Sequence, residues 1–216
     1  MTTNLSANQP VSATIFSLDA GHPGLDFANT LEGRNDPQPG ERLPDYDALI
    51  AFARQAGLLD DAAGQSLAAR AAQRPHEARA AHAAALVLRE AVFRVSYAVA
   101  SGQEPESGDL RVIGSALAAA LSHGDLACAG ASFGWEWGAA GPQLEYPLWP
   151  IAYATFELLT QADLSRLRVC AAGDCDWLFL DETRNRSRKW CDMGACGNRA
   201  KVARYRRREQ GLGIRD

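Results

Sequence analysis

Four cysteines in the last quarter of the chain form the pattern that most clearly indicates chemistry. Four residues separate Cys170 from Cys175, four more separate Cys191 from Cys196, and fifteen residues lie between the two pairs. Two thiol pairs on separate turns supply the four soft ligands that zinc takes in tetrahedral structural sites. The chain's four histidines all lie outside this segment. The spacing therefore predicts one structural zinc ion, with no coordination position left open for catalysis.

Two alternatives to zinc remain open from the residues alone. An iron–sulfur cluster also takes four thiolates, although these spacings match neither ferredoxin pattern. Four free, buried thiols are the other alternative, but a segment of about 50 residues rarely sustains a core without a metal or a disulfide. Residues 1–20 contain no Lys or Arg and no long apolar run, so we expect no export signal and reduced cysteines.

Ten basic residues surround the second cysteine pair and extend beyond it, and only Asp192 opposes them. They are Arg184, Arg186, Arg188, Lys189, Arg199, Lys201, Arg204, Arg206, Arg207 and Arg208. The run after Cys196 favours a helix, on which Val202 and Tyr205 would pack against the neighbouring strands. Clustered arginines on a small zinc module are typical of binding to a phosphate backbone. The pattern predicts a nucleic-acid site, for DNA first, with RNA left open.

The charge distribution leaves a second interpretation open. Residues 166–216 hold 13 basic and 7 acidic residues, a net +6, whereas residues 1–165 hold 9 basic and 19 acidic residues, a net −10. Some arginines can therefore neutralise the zinc thiolates, dock on the acidic body or simply remain solvated. The alternative function is a zinc-stabilised protein-interaction module without a nucleic-acid role.

The elements that must position these residues are mainly helical. Capping residues and apolar periodicity predict five helices. The first runs from Asp45 to Gly57, a short second helix follows it and ends at Arg74, and the third runs from His76 to Ala100. The fourth begins after a cap at Asp109, and the fifth begins at Trp149. Alternating aromatic residues predict a hairpin of strands 133–137 and 144–146 that turns at Gly141-Pro142. Residues 177–180 and 189–190 predict another hairpin, which with a knuckle and a following helix is typical of a treble-clef zinc site.

The fold class that follows is α+β, in three parts. Residues 1–12 predict a disordered leader, residues 13–165 a mainly helical domain with a short strand at Ala13–Leu18, and residues 166–216 a small zinc-binding domain. The chain contains no phosphate-binding Gly-rich loop, paired-His motif or nucleophile elbow, so we expect no enzyme activity. No apolar run reaches the length of a membrane span, so we expect a cytoplasmic protein without a membrane partner.

One polar group in the amino-terminal part is a candidate ligand pocket. Asp26, Asn29 and Thr30 lie beside Phe27 and could line such a pocket, although capping of the following turn is the alternative use of their side chains. Trp135, Trp137 and Trp149 are expected in the core.

Two motifs resemble a known pair of domains. Cys196-Gly197-Asn198-Arg199, together with the cysteine pairs, resembles the CGNR-type zinc finger, and Leu25-Asp26-Phe27-Ala28-Asn29-Thr30 resembles the ABATE domain that usually precedes that finger in bacterial proteins. The resemblance covers nearly all of residues 13–209. It implies a two-domain α+β protein of a family described as stress-linked transcription regulators, with zinc on Cys170, Cys175, Cys191 and Cys196. We therefore expect a sensor or scaffold domain, a DNA partner, and a small-molecule effector or protein partner.

Overall fold

The computed structural model describes residues 16–34, 36–138 and 143–209, and these contain seven α-helices and three two-stranded antiparallel sheets. The helices are α1 (Pro23–Ala28), α2 (Tyr46–Gln55), α3 (Asp61–Gln73), α4 (Pro75–Ala100), α5 (Ser107–Leu121), α6 (Leu148–Gln161) and α7 (Asn198–Glu209). The strand pairs are β1 (Leu31–Glu32) with β2 (Gly40–Glu41), β3 (Gly124–Ala129) with β4 (Ser132–Trp137), and β5 (Leu167–Val169) with β6 (Leu178–Leu180). The predicted α+β class is confirmed. Within these ranges, no helix is both long and apolar enough to cross a bilayer.

The predicted helix boundaries follow from local capping. The Asp45 carboxylate accepts a hydrogen bond from the backbone N–H of Ala48, as an N-cap does, and Gly57 follows α2 with a φ of +71° that suits glycine. Pro75 occupies the first turn of α4, where a missing N–H costs nothing. The cap predicted at Asp109 is wrong. α5 begins two residues earlier, and the Asp109 carboxylate instead binds the Arg94 guanidinium at 2.6 and 2.8 Å.

The predicted aromatic hairpin has the wrong second strand. β4 pairs with the preceding β3, from Gly124↔Trp137 to Ala129↔Ser132, and Gly130 turns between them with a φ of +67°. The small residues of β3, among them Cys128, hide its strand character in the sequence. Residues 144–147 form a turn that leads into α6, and the predicted turn at Gly141-Pro142 lies outside the described residues.

The aromatic side chains of this hairpin are only partly in the core. Trp149 is buried, whereas Trp135 and Trp137 are half-buried and pack near Tyr153 of α6, and Phe133 is 72% exposed. The two indoles of β4 were expected in the core, but they share one face of the ribbon with Phe133, and α6 covers that face only in part.

The core is continuous from α1 to the segment that carries the cysteines. α4 packs against α1, α2 and α5, and it also contacts β5 and β6. All three residues of β6 are buried, and Leu178 and Phe179 have no solvent exposure. Because β6 pairs with β5, the predicted hairpin between residues 177–180 and 189–190 is wrong. Leu167 of β5 is nearly fully buried, whereas Lys189 is exposed and Trp190 is only half-buried.

The amino-terminal predictions fall mostly outside the described ranges. The leader at residues 1–12 lies outside them entirely, and so do residues 13–15. Residues 16–18 form no strand. The backbone of Phe16 instead pairs with the side-chain amide of Gln55, at 2.8 Å from its N–H and 2.6 Å to its C=O.

Candidate metal centre and basic helix

The four predicted cysteines meet in one cluster. Their Sγ atoms all lie within 4.8 Å of one another, with 3.8 Å between Cys175 and Cys191 and 3.6 Å between Cys191 and Cys196. Sulfur atoms at the corners of a tetrahedron with Zn–S bonds of about 2.3 Å are about 3.8 Å apart. The donor set and its spacing therefore fit one zinc ion bound by four thiolates.

Short backbone hydrogen bonds hold the first cysteine pair in a knuckle. The N–H of Cys170 donates to the C=O of Trp177 at 2.8 Å, and the N–H of Cys175 donates to the C=O of Ala172 at 3.1 Å. The N–H of Cys191 then points at the Cys170 sulfur, 3.5 Å away. The chain thus turns back on itself at both ends of the knuckle and brings the second pair to the first.

Asp192 positions the last ligand. Its carboxylate accepts hydrogen bonds from the N–H groups of Gly194 at 2.7 Å and Ala195 at 2.9 Å, so it caps the five-residue π-type turn Met193–Gly197. This turn places Cys196 two residues before α7. In the charge pattern Asp192 stands out only as an opposing charge; its position one residue after a ligand cysteine and two before a glycine is the capping signal that identifies its role.

Within the cluster the thiolate form is favoured at Cys170, whereas hydrogen bonds between the thiols together with burial raise the pKa of Cys175 and Cys191. Hydrogen bonds from the Cys175 and Cys191 thiols hold the pKa of the Cys170 thiol below its ordinary value. The Arg199 guanidinium donates to the Cys196 sulfur at 3.1 Å and forms an ion pair with Asp174 at 3.4 Å. Arg199, one of the ten predicted nucleic-acid residues, therefore lies over the metal centre and offsets part of its negative charge.

Arg188 and Arg186 contact the body of the protein. The half-buried Arg188 donates to the backbone C=O groups of Trp190, Cys191 and Asp19, and its guanidinium lies 4.5 Å from the centre of the Phe179 ring. Arg186 is exposed but donates to the Asp163 carboxylate at 3.2 Å. Both arginines thus tie the cysteine segment to neighbouring parts of the chain.

Of the ten predicted nucleic-acid residues, the others whose side chains the structure describes are exposed to solvent. They are Arg184, Lys189, Lys201, Arg204 and Arg206, whereas the side chains of Arg207 and Arg208 lie outside the description. Val202 and Tyr205 were predicted to pack on neighbouring strands, but they are 49% and 62% exposed. That prediction is wrong because α7 has too few apolar residues to bury a face. The helix therefore presents basic side chains all around its described length.

The three predicted pocket residues lie together and are buried. The Asn29 amide donates to the C=O of Leu178 at 2.8 Å and accepts from its N–H at 3.0 Å. The side chain thus makes the two backbone hydrogen bonds that a neighbouring strand would otherwise make with β6. The Thr30 hydroxyl donates to the C=O of Phe27 at 2.7 Å. Asn29 and Thr30 therefore have structural roles, and with Asp26 they also line a cavity of about 90 Å³.

Asp26 is the unusual member of this group. Its Oδ1 accepts a hydrogen bond from the N–H of Ala20 at 3.0 Å. Burial raises the pKa of Asp26 to about 6, against the lowering effect of the Ala20 amide and with a smaller contribution from the charge of Asp19. This carboxyl group thus titrates close to neutral pH.

Two family models match the chain. The first, ABATE, described as "Putative stress-induced transcription regulator", matches residues 21–162, and the second, the CGNR zinc finger, matches residues 166–209. No curated protein shows significant similarity to the chain. The first model covers α1 to α6, and the second covers the four cysteines and α7. The resemblance seen in the two motifs is therefore confirmed, and so is zinc as the metal that the cysteine cluster holds.

Proposed function

Because the chain belongs to the ABATE family of stress-linked regulators and carries a CGNR zinc finger, we propose that it binds DNA through that finger. The observation that carries the proposal is the exposure of the basic side chains on and beside α7. Double-stranded DNA attracts such a surface through its phosphates, and neutralised phosphates release counterions. The family description supports regulation, and the exposed cations support nucleic acid as the partner.

The proposed DNA contacts are a subset of the ten predicted residues. Arg188 and Arg199 already bind backbone carbonyls and the metal-site sulfur, and Arg186 binds Asp163, so we assign these three to positioning the finger. The DNA contacts fall to the exposed group: Arg184, Lys189, Lys201, Arg204 and Arg206. Phosphate contacts of this kind fix position and orientation but do not read sequence.

Zinc has a structural role in this proposal. When bound, it supplies four strong bonds that fix the knuckle and the start of α7. The knuckle and the ligand before α7 support a treble-clef arrangement in which β5 and β6 supply the hairpin. Because four thiolates fill the metal's coordination sphere, the zinc is not a catalytic metal in this proposal. We also propose, from the lack of a catalytic motif in the sequence, that the protein is not an enzyme, and from its proposed DNA partner that it acts in the cytoplasm.

A second function is favoured by one observation on the same helix. Val202 and Tyr205 are apolar or aromatic and largely exposed on α7. Such side chains are enriched at protein interfaces. The finger could therefore be a zinc-stabilised module that binds a protein partner instead of DNA.

A salt series on the full, zinc-loaded chain tests the DNA proposal. We expect binding to random duplex DNA to weaken steeply with salt, because each neutralised phosphate adds about 0.9 to the log–log slope. Replacing Lys201, Arg204 and Arg206 together by Ala should reduce the slope by about 2.7 and weaken binding to all sequences alike. Fluorescence anisotropy measures both quantities, and metal analysis checks that zinc is retained.

The matched control removes three exposed basic residues from the body: Arg74, Arg79 and Arg111. It makes the same change in net charge, so a general charge effect would reduce binding equally in both triple variants. Equal losses, or no binding of the wild-type chain to DNA at low salt, would refute the proposal. Tighter binding to duplex RNA than to duplex DNA would change the partner, and absence of binding to both would favour the protein-interaction module.

A further inference from the structure

Asp26 is a buried carboxylate with one oxygen left without a protein donor. Its side chain is only 6% exposed, and its Oδ1 accepts the N–H of Ala20. Among residues 16–34, 36–138 and 143–209, none donates a hydrogen bond to Oδ2. An ionised carboxylate removed from water is costly unless a donor or a counter-ion satisfies it. Oδ2 is not among the fully buried atoms without a partner, so it is accessible from the cavity, where water or a cationic ligand can supply the missing donor.

The cavity beside Asp26 contains no cation that could serve as this partner. Its walls are Phe16, Ser17, Asp26, Asn29, Thr30, Glu32, Arg42 and Trp177. Arg42 is the basic residue of this set, and its guanidinium is held by both oxygens of Glu32 at 3.0 and 3.2 Å. The hydroxyl of Ser17 donates to Asp19, and the Asn29 amide is used by Leu178. The cavity thus keeps a net charge of −1 when Asp26 is ionised.

A larger cleft leads from this cavity to the metal centre. Ser17, Glu32 and Trp177 line both the cavity and a cleft of about 480 Å³ that ends at the cysteine cluster. Glu32, Asp36, Asp174 and Asp192 line the cleft, opposed by Arg199. A ligand that enters the cavity from the cleft therefore passes along a surface of negative charge, which favours a cation.

We propose that the Asp26 cavity binds the ammonium group of a small aliphatic amine whose carbon chain and second ammonium group lie in the cleft. A primary ammonium group brings one positive charge and three donors to the free Asp26 oxygen. The rings of Phe16 and Trp177 line the cavity and suit a cation bordered by methylene groups. A volume of about 90 Å³ is about that of three water molecules, which admits an amine head but not a nucleotide base. This site does not depend on the proposed DNA binding.

Titration calorimetry on the full, zinc-loaded chain tests the site, with butane-1,4-diamine as the probe. Butane-1,4-diol is the neutral control of the same length, and potassium chloride is the inorganic cation control. We expect one diamine bound per chain in the millimolar range or tighter, and no heat from the diol. Asp26→Asn, which keeps the acceptor for Ala20, should weaken diamine binding at least tenfold. Glu104→Gln removes one negative charge, as Asp26→Asn does, but at an exposed position outside the cleft. This variant should bind the diamine as tightly as the wild type does.

Several results would overturn the proposal. They are equal diamine affinity in Asp26→Asn, equal binding of the diol, complete competition by potassium ions at the same concentration, and absence of diamine binding at millimolar concentration. Ser17→Leu provides a second variant that leaves Asp26 untouched and narrows the shared wall of cavity and cleft. It should weaken diamine binding without changing zinc content, so unchanged affinity in this variant would equally contradict the site.

Discussion

Replacing Asp26 by Asn should stabilise the ligand-free protein, and the gain should grow with pH. Burial raises the pKa of Asp26 to about 6 in the folded chain from its ordinary value of 3.8. Between these two values the folded state binds the proton and the unfolded state does not. Stability therefore falls as pH rises through this window, and the loss is complete above it. Because Asn does not ionise, the Asp26→Asn variant does not lose this stability.

The magnitude follows from the two pKa values. A difference of about two units, at about 1.4 kcal/mol per unit, amounts to about 3 kcal/mol of lost stability at pH 7.5. At pH 5 the unfolded carboxyl group is already ionised while the folded one is protonated, and the loss is about half as large. The stability difference between Asp26→Asn and the wild type should therefore increase by about 1.4 kcal/mol from pH 5 to pH 7.5.

Urea unfolding of both proteins at these two pH values, loaded with zinc and free of amines, measures the difference. Both chains carry the same metal site, so the pH dependence of zinc binding cancels in the comparison. Asp109→Asn is the control of opposite sign, because a hydrogen bond from Arg94 lowers the pKa of Asp109 and its ionised form stabilises the fold. The reasoning is refuted if the Asp26→Asn difference is the same at both pH values, or if the wild type is the more stable protein at pH 7.5.

Two further variants test other contacts. Asn29→Ala leaves the buried N–H and C=O of Leu178 without partners, so we expect it to cost about 2 to 5 kcal/mol in urea unfolding, whereas the exposed Asn185→Ala should cost little. Equal costs would show that the side-chain bridge contributes nothing. Arg199→Leu removes the donor to the Cys196 sulfur and should lower zinc affinity about 10- to 100-fold in a chelator competition. Unchanged zinc affinity, with Arg79→Leu as reference, would contradict that role.

The metal centre could be predicted from the sequence because its information is local. Four cysteines within 27 residues fix both the donor set and the order in which turns must bring it together. The capped helices were predictable for the same reason, since Asp45 and Pro75 act on backbone groups within one turn. Asp26, Asn29 and Thr30 likewise line one cavity because they are neighbours in the sequence.

Features that depend on distant partners could not be predicted. The pairing of β6 with β5, rather than with residues 189–190, depends on the burial of Leu167 against the body. The role of Arg188 depends on the C=O of Asp19, which is 169 residues away along the chain. A count of basic residues cannot distinguish Arg188, which joins two parts of the fold, from the basic residues of α7, which are exposed to solvent.

The bridge between Asn29 and Leu178 has a consequence for synthesis of the protein. Asn29 leaves the ribosome 149 residues before Leu178 does. At translation rates of about 5 to 20 residues per second, this delay lasts roughly 7 to 30 s. Throughout that interval the nascent amino-terminal part lacks β5 and β6, so the apolar surfaces of α1 and α4 that they cover remain open to chaperones and to other nascent chains. Completion of the core and capture of zinc should therefore occur together, once Leu178 and Cys196 have both emerged.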